Sequence, residues 1–171
     1  MQQDTALIVV DMQNLFVDIG GEGVIDAVND QIATAHERGW PVYFTRDVAP
    51  DDSPTDAPAL DLHPELDVRG TVVPKGPGRS GGFSGFVLDS GRGPGAGGLS
   101  PLAGLLRESG VRSIVVVGIA ADVCVAATAR DALRLGYSAT VVRGATAFVG
   151  AHPGGDEAAV SELRAAGVAV G

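Results

Sequence analysis

Cysteine occurs once in this chain of 171 residues, and so does lysine. A single cysteine excludes an intrachain disulfide framework and fits a reducing, cytoplasmic setting. Basic residues are scarce beside acidic ones, 12 against 21, and the resulting formal charge of −9 argues against nucleic acid or an anionic membrane as partner. No apolar run approaches the ~20 residues that span a bilayer. The opening Met1-Gln2-Gln3-Asp4 lacks the basic start of a signal peptide. Charged residues make up 19% and apolar residues 45%, which is the balance of a globular chain and not of a disordered one. The length fits one domain, residues 1–171, with enough chain to bury a core without disulfides or a structural metal.

Against these absences stand six short runs rich in Val, Ile and Leu, at 6–10, 42–45, 71–73, 113–117, 139–142 and 168–170. Most do not alternate with polar residues, which is the pattern of strands covered on both faces. Helical patterns lie between them. Val24, Ile25, Val28, Ile32 and Ala35 share a face ahead of Gly39; Leu102, Leu105 and Leu106 mark a helix ending near Gly110. Two more are expected over 122–135 and 156–166, stopped by Gly136 and Gly167. Strands and helices in alternation predict right-handed βαβ units and a doubly wound α/β fold.

Two stretches break the rhythm. Residues 47–70 carry several Pro and Asp, and residues 76–98 hold ten Gly. Both follow a strand's C-terminal end, where such folds place their ligand sites. Gly93, Gly95 and Gly98 spell G-x-G-x-x-G, but they lack a preceding strand, and Ser113 stands where a ribose-binding acid belongs. The acidic cluster from Asp47 through Asp51 and Asp52 to Asp56 lacks EF-hand spacing and reads as a solvated loop. His36, His63 and His152 make no site by spacing.

Three residues invite chemistry. Asp11 ends the first strand, where a carboxylate either points into the crevice or caps a turn. Lys75 follows the third strand in a chain that otherwise uses Arg; it is either a compact cation for a small site or an exposed surface residue. Cys124 lies where a buried strand turns into a helix. There the helix dipole lowers a thiol's pKa and free N–H groups hold an oxyanion, although free cysteine is also a common small core residue.

With these residues in place, the sequence resembles the isochorismatase-like cysteine hydrolase superfamily, on its nicotinamidase side, over nearly the whole chain. The motifs are Leu7-Ile8-Val9-Val10-Asp11-Met12-Gln13-Asn14, then Lys75-Gly76 with Phe83-Ser84-Gly85-Phe86, then Gly118-Ile119-Ala120-Ala121-Asp122-Val123-Cys124-Val125 with Thr128-Ala129-Arg130-Asp131-Ala132. The resemblance implies a six-stranded parallel sheet of order 3-2-1-4-5-6 with helices on both faces. It also implies a Cys124, Asp11, Lys75 triad in which Asp11 takes the thiol proton and the thiolate attacks a small-molecule amide, passing through a thioester. The backbone N–H groups of Ala120 and Cys124 would hold the oxyanion, next to a cis peptide between Ile119 and Ala120. Phe16 and Phe83 fall where the family stacks substrate rings, Arg79 is set to meet a substrate carboxylate, and relatives are commonly homo-oligomers.

One departure matters. Nicotinamidases hold a metal through an acid, a His two residues later and further His in the next loop. Here the block reads Asp47-Val48-Ala49, and no His follows before His63. The expectation is therefore no metal, no cofactor and a substrate other than nicotinamide, such as an N-carbamoyl compound, a ureido acid or another small amide. The branch that cleaves a vinyl ether lacks the cysteine, so Cys124 argues against it. Two readings from other classes compete: an inactive scaffold or binding protein that kept the fold, and a thiol redox sensor using Cys124.

Overall fold

The computed structural model describes residues 4–48, 57–77, 82–88 and 98–171. Six parallel strands form the main sheet: β1 (Thr5–Val10), β2 (Val42–Asp47), β3 (Thr71–Lys75), β6 (Ser113–Ile119), β7 (Ser138–Ala147) and β8 (Ala169–Val170). Between the third and fourth of these lies a small antiparallel ribbon of β4 (Val87–Leu88) and β5 (Gly98–Leu99). The main sheet runs β3-β2-β1-β6-β7-β8, which is the expected 3-2-1-4-5-6 when its strands alone are counted. Chain order reverses between β1 and β6, so the crevice of a doubly wound sheet opens beyond their C-terminal ends.

The strands are continuously apolar because helices cover both faces. Ala6, Ile8 and Val10 of β1 join one core layer with α4 (Pro101–Glu108), α5 (Cys124–Arg134) and α6 (Asp156–Ala166). Leu7 and Val9 join the other with α2 (Ile25–Glu37), which contributes Ile25, Val28, Ile32 and Ala35. The period-two alternation of a strand thus divides its apolar residues between two helical layers. No helix among the described residues is long and apolar enough to cross a membrane.

Some boundaries differ from the sequence expectation. β7 continues through Arg143 and Gly144 to Ala147, although both interrupt the apolar run, because a register shift opposite Val116 and Gly118 absorbs the irregularity. Gly118 has φ of +113°, and a Cβ there would lie 2.2 Å from the Val10 carbonyl oxygen. Only glycine lets β6 press this close to β1. After β1 the chain makes a short helix α1 (Asn14–Phe16), a π-turn at Val17–Gly21 and a 3-10 turn before α2, none of which periodicity signalled. Another short helix, α3 (Ala57–Leu60), precedes β3. Of the G-x-G-x-x-G positions, Gly93 and Gly95 lie outside the described residues. Gly98 sits in the antiparallel ribbon and not in a strand-to-helix turn, the wrong context for a dinucleotide site.

Candidate active site

β1, β2 and β3 deliver Asp11, Thr45, Asp47 and Lys75 at their C-terminal ends, and the start of α5 delivers Cys124. Each of the five is buried, and Lys75 has no exposed surface at all. The surface reading of Lys75 is thereby excluded. Its ammonium lies 2.7 Å from Asp11 Oδ2, 3.5 Å from Asp47 Oδ2 and 3.4 Å from Cys124 Sγ. It also donates to the Phe83 carbonyl at 2.6 Å and reaches the Gly82 carbonyl at 3.5 Å. Burial opposes the charged form of Lys75, yet the charge of Asp11, that of Cys124 once ionised, and that of Asp47 outweigh it and hold the pKa above its ordinary value. The side chain is a fixed cation.

Asp11 has φ of 48°, an unusual backbone for a residue other than glycine. Its carboxylate turns inward and does not cap a turn. Thr45 Oγ1 donates to Oδ1 at 2.7 Å, while Oδ2 meets the ammonium as an ion pair and has no directed hydrogen bond among the described residues. One oxygen is thus tied down, and the other is a buried acceptor beside the thiol's cation.

Cys124 is the first residue of α5, but its thiol does not behave as the helix dipole alone would dictate. Burial and the negative charge of Asp11 push its pKa from 9.0 up to about 12, against a lowering by Lys75. Desolvation and an adjacent carboxylate therefore work against the lowering expected of the helix end and favour the protonated thiol.

The turn before Cys124 contains the cis peptide between Ile119 and Ala120. The Ala120 carbonyl accepts from the N–H groups of Val123 and Val125, and Ala121 N–H donates to Ala147. Asp122 takes the N–H groups of Val149 and Ala151 and so ties this turn to the segment after β7. The backbone here is pinned from several sides.

The other expected residues fare unequally. Phe83 is 38% exposed and presents its carbonyl to Lys75. Phe16 is half-buried and packs against the α2-side core. Arg79 lies outside the described residues, as do Asp51, Asp52 and Asp56. Sequence reasoning missed Thr45 and Gln13. The Gln13 amide donates to the carbonyls of Asp47 and Leu60 and accepts from Asp47 N–H, which fixes the end of β2. A polar residue two positions before Asp47 in an otherwise apolar strand was the available signal for Thr45, since residues i and i+2 share a face.

Among the described residues, the donors around Asp47 differ from the acid-and-histidine set expected for the metal of nicotinamidases. Asp47 turns a carboxylate oxygen to Lys75, and His63 Nδ1 accepts the Glu65 N–H. Among the described residues no group of three or more His, Cys, Asp or Glu is placed to hold a metal ion. The 48–70 segment offers no second imidazole, which a tight transition-metal site of this kind requires.

The isochorismatase domain profile matches residues 5–171. The nicotinamidase/pyrazinamidase of Mycobacterium tuberculosis is 34% identical over 191 residues, covering 95% of this chain and 96% of that protein. A ureidoacrylate amidohydrolase of Klebsiella pneumoniae is 30% identical over 182 residues, covering 84% of this chain and 73% of its own. Among solved structures, the pyrazinamidase of Pyrococcus horikoshii in complex with zinc superposes with a TM-score of 0.78 at 27% identity, covering 99% of both chains.

Proposed function

The chain belongs to the isochorismatase family, and from that premise we propose that it is a cysteine-dependent amidohydrolase of small carboxamides, working through a thioester on Cys124. Relatives at 30% identity and above are named for amide hydrolysis, which makes the chain a hydrolase of non-peptide carbon–nitrogen bonds. The observation that carries the finer reading is a single buried ammonium touching both Asp11 and Cys124.

In this reading Asp11 Oδ2 takes the thiol proton as the sulfur attacks the amide carbonyl. Burial and Asp11 favour the protonated thiol, which suits such concerted transfer, because the thiolate then forms only as its charge passes to the substrate. The N–H groups of Ala120 and Cys124 receive the oxyanion. Protonated Asp11 then gives its proton to the departing amine, and the C–N bond breaks to leave an acyl-thioester. Asp11, again a carboxylate, activates the water that releases the acid and restores the thiol. Lys75 pairs with the Asp11 carboxylate and lies beside the sulfur as negative charge develops.

None of these steps is routed through a metal. Phe83, Phe16 and Arg79 are proposed to hold the substrate by its apolar body and a carboxylate. Ureido and N-carbamoyl acids fit that description. Aromatic amides form a second reading, favoured by the 34% identity to a nicotinamidase/pyrazinamidase. The test is a panel of both amide classes with ammonia release as readout, followed by mass spectrometry of protein quenched during turnover. An acyl adduct on Cys124 supports the mechanism. Turnover that survives removal of the thiol contradicts it.

A further inference from the structure

The Gly85 peptide is gripped from both sides. Its N–H donates to Thr128 Oγ1 at 2.9 Å, and its carbonyl accepts from Ser100 Oγ at 2.6 Å. Thr128 is itself fully buried and donates from the same hydroxyl to the Cys124 carbonyl at 2.7 Å. Ser100 also caps α4 by accepting from Leu102 N–H. A Cβ on Gly85 would lie 2.9 Å from Thr45 Cγ2, so the peptide is also seated against the residue that holds Asp11. Two residues before Gly85, the Phe83 carbonyl receives the Lys75 ammonium.

We propose that Thr128 is a positioning residue: by joining the Gly85 N–H to the Cys124 carbonyl, it locks the segment carrying Phe83 to the first turn of α5 and so sets the Lys75 ammonium beside the Cys124 sulfur. Thr128 lies four residues after Cys124, on the same helix face, where a hydroxyl reaches back to the i−4 carbonyl. That habit normally serves only the helix. Here the hydroxyl's acceptor side is turned to another segment, so one group spans two parts of the site. Lys75 cannot fix its own position with a flexible four-carbon stem; the Phe83 carbonyl supplies an anchor, and that anchor is as rigid as the Gly85 peptide behind it.

The inference rests on the reading of Cys124 and Lys75 as a reacting pair, but its test does not depend on knowing the substrate. Because Cys124 is the only thiol, iodoacetamide labelling of the whole protein, followed by intact mass, reports on that one sulfur. The charged groups facing it are Asp11 just after β1 and Lys75 from β3, with Asp47 from β2 beside the Lys75 ammonium. With Thr128→Val, labelling near pH 8 should slow roughly fivefold or more, and its rise with pH should move upward as Lys75 leaves the sulfur. Turnover of any accepted amide should fall roughly tenfold, the effect of one lost buried hydrogen bond. Thr128→Ser should restore both to within about twofold, since it keeps the hydroxyl. If valine prevents folding, Thr128→Ala removes the hydroxyl without added bulk and should act in the same direction. Wild-type labelling at every pH in a folded valine or alanine variant overturns the proposal, as does a loss that serine does not restore. Failure of the amidohydrolase reading shows separately, as no turnover by the unaltered protein with its labelling profile intact.

Discussion

The ammonium of Lys75 and the sulfur of Cys124 are 3.4 Å apart, although 49 positions separate them in the chain. The same ammonium lies 2.7 Å from Asp11, so the proposed base and nucleophile share this counter-ion. A cation between two groups that exchange a proton favours whichever of them is negative at the moment. The proton can then move without either charge being stranded in a dry site.

Cys124→Ala is expected to abolish hydrolysis while leaving the fold intact, because the substitution removes one sulfur from a site already lined by apolar residues. Ammonia release at close to the wild-type rate, from a variant with unchanged circular dichroism, contradicts the mechanism.

Asp11→Asn should lower the rate by about 10²–10⁴, the usual worth of a positioned general base, since an amide cannot accept the thiol proton. Thr45→Val should act more mildly and in the same direction, by releasing Oδ1. The check is kcat/KM on one accepted amide for both variants. A larger loss from valine than from asparagine would reverse the assigned roles.

Lys75→Met leaves the carboxylates of Asp11 and Asp47 buried without their shared cation and should destabilise the fold by about 3–5 kcal/mol. Lys75→Arg keeps the charge but brings a planar fork into space shaped for an ammonium, so activity should still fall sharply. Urea titration of the first variant and turnover of the second test the two parts. A fully active arginine variant would make Lys75 a charge and nothing more.

Alkaline pH should weaken the fold. Cys124 and Lys75 both hold their protons more tightly when folded than when unfolded, so the unfolded chain binds fewer protons once pH passes the ordinary thiol value of 9.0. Stability from these groups is fully present below that pH and declines as pH rises through the window above it. Thermal melts between pH 8 and pH 10.5 should show the decline. Cys124→Ala should show a shallower one, and equal slopes would separate the thiol from the effect.

Activity should survive prolonged chelation, and purified protein should carry less than one zinc, iron or manganese per chain. The motivation is the donor set: Asp47 is engaged with Lys75, and one histidine lies within residues 48–70 in place of several. Elemental analysis finding one tightly held metal per chain, with activity lost on its removal, would move nicotinamide back to first choice.

The sheet was legible in the sequence because burial on both faces writes itself as unbroken Val, Ile and Leu, and six such runs became six strands in the expected order. Asp11, Lys75 and Cys124 stood out by type and by place at strand or helix ends. Residues that matter through distant partners were harder to see. Thr45 finds Asp11 across 34 positions, and Thr128 finds Gly85 across 43. Little local to either distinguishes them from an ordinary buried threonine, except that Thr45 shares a strand face with Asp47 and Thr128 falls one helical turn beyond Cys124. The turns after β1 were missed because they bury few residues and depend on Gly20, whose φ of 152° no periodicity reveals. The upward push on the thiol pKa was hidden as well, since desolvation depends on the packed surroundings and not on position in a helix.

Gly118 carries a consequence for how such a protein acquires new substrates. A side chain there would strike the Val10 carbonyl, so the seam between the strand leading to Asp11 and the strand leading to Cys124 is closed to remodelling. The spacing of these two residues is inherited with the backbone, whichever amide is chosen. Diversification is pushed outward, into the connections that follow β2 and β3, which can lengthen, shorten or exchange residues without disturbing that seam. Grafting those two connections from one relative onto another is therefore the economical route to a changed preference, and directed evolution libraries belong there and not in the strands.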